Sequence, residues 1–324
     1  SVFLTHFGLY AGPILPRPDD LAFGAVGVDV FFVLSGFIMF VSTAGRHETP
    51  GTFLLRRAIR VVPLYWLVTL LLALIALAGL KPIGIIELRT EYVVQSLLFL
   101  PFSRNGYVEP LNSVGWTLNY EIFFYISFAA LLLLTSLRAR LMGLATAFGA
   151  LVLLGLAPVP GLYWAYYTKP IVLEFVAGAA LGYGYLRLGS PAPGFPVRLV
   201  AGAALMIAGA LILGGQVLAG TLGTNLEMTG FLRPLVWGSA AVLTVGALLL
   251  LERGGIVLRS RWLFSQGNAS YAFYLIHNLM LHIGAKAAVI LLAPGPLRIT
   301  LVFVLAFSVS VLLGEWLFRC VERP

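Results

Sequence analysis

Apolar runs close to the length that spans a hydrocarbon layer, about 20 residues, recur along the whole chain between short polar breaks. They predict membrane-spanning helices at about 1–11 (partial), 23–43, 61–80, 115–135, 141–157, 169–188, 198–215, 233–251, 269–293 and 297–318. The expected fold is therefore all-α: a polytopic membrane bundle of about ten helices, forming a single domain over 1–324. The segment EYVVQSLLFLPF (91–102) is apolar but too short to span, and it predicts an interfacial or re-entrant piece. The chain opens on the apolar SVFLTHFGLYAGP without an initiator Met or a signal peptide, so the first helix is expected to be truncated.

Composition agrees with this pattern. Of the 324 residues, 60% are hydrophobic and only 10% charged, against about 25% charged in a soluble protein. The net charge of +8 is not gathered in a basic tail or an aromatic-interleaved basic tract, so nucleic acid is not an expected partner. Basic residues are expected in loops that face the cytoplasm. With the first span exiting to the outside, inside loops hold thirteen arginines and outside loops seven Lys or Arg; Lys286, within a span, completes the 21. If 91–102 crossed the membrane, most of the thirteen would move outside, so ten spans with both ends inside is the better topology. The single cysteine, Cys320, excludes an intramolecular disulfide here. The four histidines lack zinc-site spacing, so no metal is expected.

The polar residues inside the spans carry the functional information. An Asp, Lys or Arg at a helix centre costs about 2.5–3.5 kcal/mol on insertion scales. His6 falls near the outer end of the first helix and Asp29 near the start of the second. Asn119 and Glu121 lie in the fourth span, Glu174 in the sixth, and His277, His282 and Lys286 in the ninth. Most of them predict one outward-leaning polar pocket. Structural readings stand beside this: Asp29 as a helix-terminus charge, His277 as a satisfied core histidine, and His282 with Lys286 lining a wet face. His6 and Glu121 sit on different helices at similar depth, the pattern of an assembled reactive site.

LLRRAIRVVPLYW (54–66) holds Arg56, Arg57 and Arg60 just before an apolar run. Their spacing puts all three on one helical face. A topology anchor needs only the charge, whereas a phosphate site needs charge and a shared face for forked guanidinium contacts. Spacing alone fits both.

Five blocks, GVDVFFVLSGF, LLRRAIRVVPLYW, GWTLNYEIFFY, GNASYAFYLIH and the terminal VERP, occur in an order that resembles the acyltransferase family 3 membrane proteins over essentially the whole chain. The GWTLNYEIFFY block is most similar to members that acetylate bacterial exopolysaccharide. The resemblance implies about ten spans in the bacterial inner membrane and an acyl group, usually acetyl, taken from acyl-CoA on the cytoplasmic side. The acceptor it implies is a sugar hydroxyl of an extracytoplasmic or lipid-linked glycan, in the setting of polysaccharide biosynthesis machinery. It matches the family's first-helix histidine to His6, its RxxR pair to Arg57 and Arg60, its block glutamate to Glu121 and its SYxxYLxH histidine to His277. The basic residue that the family carries eleven positions before the histidine would precede Ser1 here. On this reading neutral His6 is the base, with Glu121 or Asp29 holding its tautomer. Arg57 and Arg60, with Arg56 beside them, hold the phosphates of acetyl-CoA. Trp116, Asn119, Tyr120 and His277 shape the acceptor pocket, and an acyl-His6 intermediate is the variant mechanism. A transporter or flippase of a lipid-linked saccharide is the competing class.

Overall fold

The computed structural model describes residues 2–11, 18–46, 48–80, 88–104, 107–221, 230–293 and 295–322. Thirteen α-helices dominate these residues: α1 (Val2–Ala11), α2 (Val26–Ser42), α3 (Pro50–Leu77), α4 (Thr90–Leu97), α5 (Trp116–Leu131), α6 (Leu137–Leu154), α7 (Leu162–Tyr167), α8 (Leu173–Arg187), α9 (Val197–Thr221), α10 (Ser239–Arg253), α11 (Arg261–Asn268), α12 (Ser270–Leu291) and α13 (Pro296–Leu317). Among the described residues the only strands are the two-residue β1 (Ser103–Arg104) and β2 (Tyr107–Val108), paired antiparallel.

Among the described residues, seven helical segments are long and apolar enough to cross a membrane. The other three expected spans fall on α1, α5 and α8, which have 10, 16 and 15 residues; α5 and α8 are each led in by a 3₁₀ turn. The protein is an all-α, multi-pass membrane protein. Large apolar side chains such as Leu248, Ile290 and Leu312 are exposed, as expected of faces that meet lipid rather than water. The 91–102 segment becomes α4 and the turn after it. Here Phe99 adopts φ 56°, a left-handed conformation rare for an aromatic residue, and its ring stacks on Tyr65 at 4.6 Å.

The chain divides into two compact units. The first holds Ala22–Leu54 and Phe123–Arg259. At its centre α2 and α8 touch backbone to backbone. A Cβ on Gly178 would stand 2.0 Å from the Val33 carbonyl oxygen, and one on Gly36 would stand 2.1 Å from that of Phe175. Lipid offers no hydrophobic drive for helix association, so small residues that permit close approach do this work. Phe32, Phe124 and Phe175 stack beside the contact at 4.4–4.6 Å.

The second unit holds Phe3–Leu21, Leu55–Ile122 and Ser260–Pro324. Its core joins α1, α12 and α13 through Phe3, Phe7, Leu281, Val302 and Ala306. Phe3 meets Phe303 and Phe307 edge-on at 5.5 and 5.3 Å, a preferred aromatic arrangement.

The glycine contact is testable. Gly178→Ala must push α2 from α8 and should cost about 1–3 kcal/mol, read as a lower thermal midpoint in detergent. Gly202→Ala, which meets open space on α9, should leave the midpoint unchanged.

Candidate active site

The second unit centres its polar side chains on α12. His277 is buried there, and its Nε2 lies 2.8 Å from Nδ1 of His6. The other ring nitrogen, Nδ1, lies 2.6 Å from the Tyr274 carbonyl. The imidazoles stack at 5.0 Å, and Phe273 covers His277 at 5.7 Å, nearly parallel. Both His277 nitrogens are thus engaged within the protein.

A tight turn before α5 clamps α12 at this level. The Tyr274 hydroxyl donates to the Val114 carbonyl and lies 2.9 Å from Thr117 Oγ1. Asn112 Nδ2 donates to the Leu275 carbonyl at 3.1 Å, and Asn278 Nδ2 to Ser113 Oγ at 2.7 Å. The turn itself is held by the Leu111 N–H on Ser96 Oγ, and by Arg104, which donates to Glu109 and the Pro110 carbonyl. Gly115 admits the Tyr65 hydroxyl, which lies 2.8 Å from where a Cβ would stand. The amide oxygens of Asn112, Asn119 and Asn278 are buried and have no hydrogen-bond partner among the described residues. Buried acceptors of this kind cost free energy until a donor reaches them. Trp116 and Tyr120 meet edge to face at 6.0 Å on the same stretch.

These contacts also set depth. Tyr271 donates to the Val61 carbonyl at 2.7 Å, tying the first turn of α12 to α3 one residue after Arg60. His277 is six residues further along α12, roughly 9 Å at 1.5 Å per residue. The contact with His277 sets His6 against α12 about a third of the way along that helix from the Arg60 level. Ser113 pairs with Asn278 and Thr117 with Tyr274, so the two segments run in opposite directions. Glu121, buried and one turn beyond Thr117, therefore falls nearer the Arg60 level than the histidine level. Arg57 is half-buried, Arg56 and Arg60 are exposed, and the charge of Arg60 reaches Glu322 of the terminal VERP.

Asp29 belongs to the first unit and has a different partner. Arg233 grips it with both prongs, Nε to Oδ1 at 3.1 Å and a terminal nitrogen to Oδ2 at 3.0 Å. Both side chains are buried. Glu174 lies against the pair, its carboxyl packed on the Gly238 backbone, and the Arg233 guanidinium lies 5.7 Å from the Trp237 ring. Each unit thus holds buried polar groups of its own. Arg233, like Arg104, Arg140 and Arg298, counted in the sequence as a loop charge but is buried. A partner 204 positions away leaves no signal in local spacing.

This all-α membrane protein is an acyltransferase by family: the acyltransferase domain model of the acyltransferase 3 family matches residues 1–315, and the chain belongs to that family. It is 38% identical over 304 residues to the exopolysaccharide production protein ExoZ of Rhizobium meliloti (strain 1021), covering 93% of this chain and 89% of that protein. It is 29% identical over 127 residues to nodulation protein 10 of Rhizobium leguminosarum bv. viciae, about a third of each chain (35% and 34%). No solved structure matches the chain.

Removing one member of the buried ion pair should be severe. Asp29→Ala strands the Arg233 charge and should destabilise the first unit by about 3–5 kcal/mol. The apolar double variant Asp29→Leu/Arg233→Met should recover most of the loss. Thermal midpoints of the purified variants in detergent check both.

Proposed function

We propose that this acyltransferase moves an acyl group, acetyl by preference, from acyl-CoA to a sugar hydroxyl of an exopolysaccharide or its lipid-linked precursor in the bacterial inner membrane. The observation that carries the reading is the arrangement within the second unit. Arg57 and Arg60 lie in the N-terminal half of α3, and the Tyr271–Val61 bond brings that stretch level with the start of α12. The histidine pair follows about 9 Å further along. A donor whose phosphates rest on the arginines has only a short path for its thioester arm to reach His6. The positive-inside balance turns that arginine end toward the cytoplasm, where acyl-CoA is found.

His6 takes the proton from the acceptor hydroxyl as the oxygen attacks the thioester carbonyl. The new C–O bond forms, the C–S bond breaks, and the proton passes to the departing thiolate. General-base help of this kind contributes about 10²–10⁴ in rate. Asn112, Asn119 and Asn278 present buried oxygens that accept hydrogen bonds from sugar hydroxyls, with Trp116 and Tyr120 beside them. Glu121, nearer the arginine level, acts on the donor side rather than as the orienter of His6. Asp29, held by Arg233, serves the architecture of the first unit. Arg56, outside the RxxR pair, is mainly a topology anchor. The resemblance to the exopolysaccharide production protein supports a glycan acceptor made by polysaccharide biosynthesis machinery.

Purified protein with acetyl-CoA and acceptor oligosaccharide should release free thiol and yield an acetylated glycan by mass spectrometry. Movement of saccharide across vesicles without thiol release would instead establish a transporter. His6→Ala should lower turnover about 10²–10⁴-fold with an unchanged thermal midpoint. Arg57→Ala with Arg60→Ala should raise the KM for acetyl-CoA by about 10- to 100-fold, leaving membrane insertion intact.

A further inference from the structure

We infer that His6 and His277 work as one proton-relaying pair, in which His277 is a positioning residue that sets the tautomer of His6 and takes up its charge. The inference rests on His6 as the base of acyl transfer. It assigns His277 a role distinct from contacting the acceptor, since neither of its ring nitrogens is left for a sugar.

The proton positions follow from the acceptors. A backbone carbonyl only accepts, so His277 Nδ1, 2.6 Å from the Tyr274 oxygen, carries a hydrogen. A neutral imidazole has one N–H, which leaves a lone pair on His277 Nε2. Nδ1 of His6, 2.8 Å away, must then be the donor. His6 is left with its lone pair on Nε2, the nitrogen turned away from His277 and the one available to a hydroxyl. The alternative, a doubly protonated His277 in the resting state, buries a cation among the rings of Phe3, Phe273 and Tyr274. Burying an unpaired charge is far costlier than burying a neutral hydrogen-bonded pair.

The same geometry disposes of the charge that catalysis creates. As His6 Nε2 takes the hydroxyl proton, its Nδ1 proton shifts across the 2.8 Å bond to His277 Nε2. His6 then carries its single proton on Nε2, and His277 carries two, with the positive charge against the Tyr274 carbonyl. When the C–S bond breaks, the thiolate takes the proton from His6 Nε2 and the shared proton returns to His6 Nδ1. No proton is gained or lost over the cycle. A base held by an orienting group is a recurrent solution for nucleophile activation; here a second histidine fixed by its own helix carbonyl stands where a carboxylate often stands. The clamp on α12 by Asn112, Tyr274 and Asn278 keeps the pair in register.

Nitrogen-15 NMR of the full chain labelled at histidine tests the pair directly, because only four histidines contribute. Expected are protonated Nδ1 and unprotonated Nε2 on both His6 and His277, with a coupling across the N–H···N bond that is lost in His277→Phe. A proton resting on His6 Nε2 overturns the inference. Turnover gives a second readout. His277→Gln keeps an acceptor for His6 Nδ1 but cannot take a proton, and should lose about tenfold in kcat. His277→Phe removes both functions and should lose about a hundredfold or more, with the KM for acetyl-CoA unchanged in each. Equal losses for Gln and Phe, or a loss that follows only the thermal midpoint, overturn it too. Absence of thiol release by the wild type, with the NMR pattern intact, removes the proposed donor and leaves the pair. Thiol release with His6 protonated on Nε2 removes the pair and leaves the proposed function.

Discussion

A polar side chain in hydrocarbon has no water to turn to, and the few that this chain buries determine where its helices meet. The clamp between α12 and the turn before α5 illustrates the constraint. Tyr274, Asn112 and Asn278 each find a partner on the facing segment. Sliding α12 by one turn would leave all three unsatisfied at once. The position of His277 is therefore set by polar bonding and not by the apolar packing around it, which would tolerate a shift far better.

That register links the two ends of the proposed reaction. The Tyr271 bond to α3 ties the arginine end to α12, and the clamp ties α12 to the acceptor turn. Both bonds act on one rigid helix, so the spacing between the arginines and the histidine pair is fixed along a single axis. The first unit meets the same constraint with charge. One guanidinium serves Asp29 with two hydrogen bonds while Glu174 lies alongside, next to helices brought together by Gly36 and Gly178. Such a centre is costly to disturb and well suited to holding an architecture.

Much of this was legible beforehand. All ten apolar runs correspond to helices, because a spanning segment must satisfy its backbone internally and so declares itself by length and apolarity alone. The 91–102 segment was legible as too short to span for the same reason. Arg57 and Arg60 were legible as sharing a face, because their contact geometry is local. Arg233 was not. An arginine at the edge of a span looks like a topology charge whether it faces water or a buried aspartate. Nor were Asn112 and Asn278 legible, since an asparagine beside a turn is ordinary until its unpartnered oxygen is located.

By itself, then, the sequence determined an all-α membrane bundle, the approximate place of each apolar helix (though α3 begins at Pro50, well before the expected 61), its family, and a short list of polar side chains too expensive to be accidental. Only the tertiary structure decided which of them meet. It gave His6 a histidine partner and gave Asp29 an arginine. The reason is physical. Helix formation and membrane insertion are governed by contacts within four residues and by summed hydropathy, both local quantities. Pairings such as His6–His277 and Asp29–Arg233 span 271 and 204 positions and exist only once the helices have packed.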